Sequence, residues 1–80
     1  MFDRKMFGER LRTLRNEKKE TQKNIAELLK VTITQVSDIE NGKTTTSLDR
    51  VYILADHFCV SSDYLLGRTD IKEICINLDE

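Results

Sequence analysis

Apolar residues recur at helical spacing along most of this 80-residue chain, in short blocks separated by polar turns. In the first block Phe7, Leu11 and Leu14 fall at i, i+4 and i+7. With Asp3 as N-cap they predict a helix from Arg4 to about Lys19, whose other face carries Arg10, Arg12, Arg15, Lys18 and Lys19. Thr21 caps a second helix with Ile25, Ala26, Leu28 and Leu29 on one side. After only Val31 and Thr32, a third helix begins at Ile33, and Thr32 with Gln35 forms a capping box. Asn41-Gly42 ends it, the glycine taking the left-handed conformation. Beyond the polar loop Lys43–Thr46, Ser47 caps a helix patterned by Leu48, Val51, Leu54, Ala55 and Phe58. Ser61 caps a short last helix with Tyr64, Leu65 and Leu66, stopped by Gly67. Ile74, Ile76 and Leu78 then alternate with Cys75 and Asn77, which predicts either a strand pairing with a second copy or a disordered tail. The expectation is a compact all-α domain of five helices over residues 1–69, followed by a tail over 70–80.

Composition supports helices. There is no Pro, and three Gly leave little to punctuate a strand-and-turn architecture. A chain of 80 residues makes one domain. Cys59 and Cys75 lack C-x-x-C spacing, and the single His57 adds too few ligands for a metal cluster, so no metal or cofactor is expected. Cys59 reads as a half-buried thiol in a reducing cytosol. No apolar run matches a membrane span, and a cytoplasmic protein is expected. No nucleophile has a placed base and no glycine loop cradles phosphate, which argues against an enzyme.

The net charge of −1 hides an asymmetry. Residues 1–30 carry nine Lys or Arg against five acids, and residues 31–80 carry four against nine. A basic half could face phosphate; basic residues on a solvated helix explain the same charges.

The third helix carries the informative face. With Ile33 set at zero and about 100° per residue, Val36 and Ile39 lie near 300° and 240°, which fixes the inward direction. Asn41, Thr34, Ser37 and Asp38 cluster on the opposite side, and Ile33 sits at its edge. Capping accounts for Thr32 and Gln35, helix termination accounts for Gly42, and local hydrogen bonds could account for Glu40 and Asn41. Nothing in packing requires an outward face so short of long charged side chains.

The series Thr21-Gln22, Ala26, Val31-Thr32, Val36-Ser37, Ile39-Glu40-Asn41-Gly42-Lys43, Ser47-Leu48 and Val60-Ser61 with Asp63-Tyr64-Leu65-Leu66-Gly67 closely resembles the lambda-repressor-like helix-turn-helix family. That family includes phage Cro and repressor proteins and xenobiotic-response-element type bacterial regulators. The resemblance covers residues 6–69. It implies a sequence-specific regulator of transcription that binds a double-stranded DNA operator, expected as a homodimer. It places Ile33, Thr34, Ser37 and Asp38 at base edges in the major groove, and Gln22, Thr32, Gln35, Asn41, Lys43, Thr44 and Thr45 along the DNA backbone. It also suggests the last helices as the surface between copies, which here offers Tyr64, Leu65 and the tail strand Ile74 to Leu78.

Three positions depart from the family pattern. Lys30 stands where glycine is common, in a turn that needs φ > 0, at a cost of about 1 to 2 kcal/mol. Ile33 and Asp38 bring an apolar side chain and a carboxylate to a face that often holds Gln, Arg, Ser or Lys. An alternative reading from another class is an antitoxin or interaction module that binds a partner protein through its acidic second half and tail, with DNA binding secondary.

Overall fold

The computed structural model describes residues 2–71, which form five helices: α1 (Arg4–Glu17), α2 (Gln22–Leu29), α3 (Ile33–Glu40), α4 (Leu48–Phe58) and α5 (Ser62–Leu65). The all-α class and the order of elements are as the sequence predicts. The alternating segment at Ile74, Ile76 and Leu78, like Cys75, lies outside the described residues.

Each helix starts where a short polar side chain can satisfy amides that have no partner within the helix. Asp3 Oδ1 accepts from the amides of Lys5 and Met6 at 2.9 and 3.2 Å. Thr21 and Asn24 close a capping box on α2, and Thr32 and Gln35 close one on α3. Ser47 and Ser61 accept from the amides of Arg50 and Tyr64. Helix α1 stops at Glu17, two residues short of the predicted end, because Lys19 turns to φ 57° and the amide of Glu20 reaches back to the Arg15 carbonyl at 2.9 Å.

One core gathers Phe7, Leu11 and Leu14 of α1, Ile25, Ala26 and Leu29 of α2, Val36 and Ile39 of α3, and Val51, Leu54, Ala55 and Phe58 of α4. Leu28 is only half-buried at its edge. Three expectations are corrected. Leu48 is 58% exposed, because α4 meets the core only from Val51 on, one turn further along. Cys59 is exposed, since the left-handed residue that ends α4 turns away from the core at φ 56°. Tyr64 and Leu65 are buried in the core and offer no surface to a second copy.

Gly8 sets how closely α1 can lie on α3. A Cβ there would stand 2.2 Å from the Ile39 carbonyl oxygen and 2.6 Å from that of Glu40. Only a residue without a side chain permits that approach.

Candidate nucleic-acid interface

The turn between α2 and α3 is as tight as its sequence requires. Lys30 adopts φ 59° and ψ 46°, and the Val31 amide donates to the Ala26 carbonyl at 2.9 Å. The expected positive φ is therefore present, on a lysine. The Thr32 hydroxyl then accepts from the Gln35 amide at 3.1 Å, while the Thr32 amide donates to Gln35 Oε1 at 2.9 Å. At the far end Gly42 takes φ 78° and the Lys43 amide closes on the Asp38 carbonyl at 2.9 Å.

On its inner side α3 buries Val36, Ile39 and Glu40. The Glu40 side chain is wholly buried, and its carboxylate gathers partners from α1 and α2. Arg15 donates Nε to Oε2 at 2.6 Å and Nη2 to Oε1 at 3.0 Å. Gln22 donates Nε2 to Oε1 at 3.1 Å, and Arg12 Nε approaches Oε1 at 3.6 Å. Arg15 is fixed further by donating Nη1 to the Glu20 carbonyl at 2.9 Å. The hydrogen bond to Glu40 raises the Arg15 pKa above its ordinary value; burial opposes this and the Glu40 charge adds to it. A group raised in the folded state contributes its full stability below its unfolded pKa and loses it only as pH rises through the folded value. Arg15 therefore introduces no loss of stability near neutral pH.

This hub escaped sequence reasoning, which grouped Arg12 and Arg15 on a uniform basic face. The signal was present: an acid one turn after Val36 falls near the inner side of α3, and a buried carboxylate needs a cation. Arg10 departs from that face too. It stacks on the Tyr64 ring at 4.2 Å, donates to the Tyr64 carbonyl and to the Thr69 carbonyl at 2.7 Å, and pairs with Asp70 at 2.6 Å.

The outer side of α3 is different in kind. Ile33 is 49% exposed, Thr34 and Gln35 are exposed, and Ser37 and Asp38 are half-buried. Among the described residues the side chains of Thr34 and Asp38 make no hydrogen bond or ion pair. Gln35 and Asp38 share a cleft of about 440 Å³ with Thr44, Thr45 and Arg50. The structure thus brings one end of α3 and the following loop to a common surface. Arg50, which the sequence did not single out, reaches this cleft from α4 and donates Nε to the Leu29 carbonyl at 3.3 Å. Asn41 Oδ1 accepts from Arg12 at 2.7 Å, and the Lys43 carbonyl accepts from Arg4 at 3.3 Å. Gln22 stands apart from the cleft, its amide turned to Glu40.

Two capped helices on a tight left-handed turn, the second held from within and presenting Thr34 and Asp38 without partners among the described residues, define a helix-turn-helix. A helix-turn-helix family model matches residues 11–65, and the chain belongs to that family. Its fold is that of the lambda-repressor-like members. The P22 c2 repressor solved in complex with a synthetic operator superposes with a TM-score of 0.73 at 26% identity, covering 80% of this chain and 97% of the repressor. The restriction-modification controller protein C.AhdI from Aeromonas hydrophila gives a TM-score of 0.69 at 32% identity, covering 79% and 96%. YobD of Bacillus subtilis (strain 168), an uncharacterized HTH-type transcriptional regulator, is 37% identical over 65 residues. The match takes in 81% of this chain but only 58% of that relative's length.

Proposed function

We propose that this chain is a sequence-specific, double-stranded DNA-binding transcriptional regulator of the phage- or mobile-element-repressor type, acting as a dimer on a two-fold operator. The observation that carries the reading is the outer side of α3, where Thr34 and Asp38 have no partner while the inner side of the same helix is fully engaged. The resemblance to a repressor solved on its operator supports the same reading.

In this reading α3 enters the major groove. Ile33 meets an apolar group such as a thymine methyl; Thr34 and Ser37 donate or accept. Asp38 can only accept, for instance from a cytosine amino group, and it repels phosphate, so it disfavours sites that lack its donor. Lys43, Thr44 and Thr45, with the amides at the start of α2 and α3, set the register on the backbone. Gln22, Thr32, Gln35 and Asn41 are already engaged within the fold, so they act first by holding the helices. A two-fold operator would present half-sites about 34 to 36 Å apart. Leu48, Tyr52 and Ile53 of α4 are exposed apolar side chains available to a second copy.

Selection of bound sequences from random duplexes, at two salt concentrations and with the oligomeric state measured alongside, tests this. The expected result is an inverted repeat recovered at both salts by a dimer. Recovery of no consensus, with binding that vanishes as salt rises, overturns sequence-specific reading.

A further inference from the structure

We propose that Arg12 adds a phosphate contact from α1 beside Asn41, on the flank where α1 crosses the C-terminal end of α3. The inference rests on the DNA-binding reading above; Asn41 is a backbone position that the family resemblance already implies, and the new contact is the guanidinium from α1.

Charge balance around Glu40 is the first argument. Two guanidinium groups approach one buried carboxylate, and Arg15 neutralises it with bonds of 2.6 and 3.0 Å. Arg12 stands off at 3.6 Å, so its positive charge is in excess. Its close bond is to a neutral group, Asn41 Oδ1 at 2.7 Å. The Arg12 side chain is 44% exposed against 14% for Arg15, which puts the surplus charge at the surface.

Donor geometry is the second. A guanidinium has no acceptor, so the Asn41 atom facing it must be the carbonyl oxygen, and the other end of the amide is a donor. That Nδ2 makes only a long contact of 3.4 Å with Ser37 Oγ. Arg12 commits Nη2 to Asn41 and Nε to Glu40, leaving Nη1 with no partner among the described residues. Two under-used donors, one of them charged, thus sit side by side at the exposed end of α3. An anionic oxygen is the ligand such a pair recognises.

The surroundings fit a backbone phosphate carrying one negative charge. A depression of about 200 Å³ is lined by Lys5, Glu9, Arg12, Glu40 and Asn41. With Glu40 neutralised by Arg15, Lys5 and Arg12 outweigh Glu9 by one positive charge. Arg4 binds the Lys43 carbonyl, so the N-terminal end of α1, two turns before Arg12, is tied to the loop that follows α3.

The test compares wild type, Arg12→Gln and Arg12→Lys on the duplex that wild type selects, with affinity measured from low to high salt. Arg12→Gln is expected to bind about ten-fold more weakly at moderate salt, equally on all sequences, and to lower the salt slope by about one. Arg12→Lys keeps the slope, and all three melt at similar temperatures. An unchanged slope for Arg12→Gln overturns the assignment while leaving DNA reading intact. Equal loss of slope in both variants shows a structural role and overturns it too. If wild type binds no duplex, this assignment falls together with the function it rests on.

Discussion

The two sides of α3 differ in what holds their side chains. Within eight residues the helix buries a carboxylate held by Arg15, Arg12 and Gln22, and leaves another, the half-buried Asp38, with no partner among the described residues. The first carboxylate belongs to folding: it is dry, paired and joins three helices. The second makes no hydrogen bond or ion pair among the described residues. A residue type thus carries no role by itself; the role comes from which side of the helix axis it occupies and what lies across from it.

The comparison can be broken most severely from the inside. Glu40→Ala leaves Arg15 largely buried without a counter-charge, and a loss of about 3 kcal/mol is expected. Urea unfolding measures it, and a midpoint that does not move would mean the hub does not hold α3. A smaller change, of the opposite sign, is expected at the turn. Lys30→Gly relieves a left-handed lysine and should gain about 1 kcal/mol, read as a rise in melting temperature. A flat or lower melting temperature would sink this account of the turn. The smallest effect on stability belongs to the outer side. Asp38→Ala should change stability by less than about 0.5 kcal/mol while lowering the ratio of specific to non-specific DNA affinity. If competition binding gives an unchanged ratio, Asp38 does not discriminate between sites.

What could be read in the sequence was set by distance along the chain. Caps at Asp3, Thr21, Thr32, Ser47 and Ser61 act over two or three residues, and all five are in place. The outward face of α3 follows from a period of about 3.6, and the left-handed turn at Lys30 from the family resemblance, which puts glycine there. The arginines of α1 could not be placed that way. Arg15 finds its partner 25 residues on, and Arg10 finds its partners 54 to 60 residues on. Periodicity showed only that these side chains avoid the core, which is equally true of a solvated cation and of one half-buried in an ion pair. Leu48 failed for a related reason: the pattern gives its angle around α4 but not where along α4 the core ends.

The glycine at position 8 also bears on motion. With no side chain between them, the backbone of α1 rests against the carbonyls of Ile39 and Glu40, leaving no layer of rotamers to absorb a slide. The two helices are therefore expected to open together, so that amide exchange in α1 and α3 would report one cooperative event.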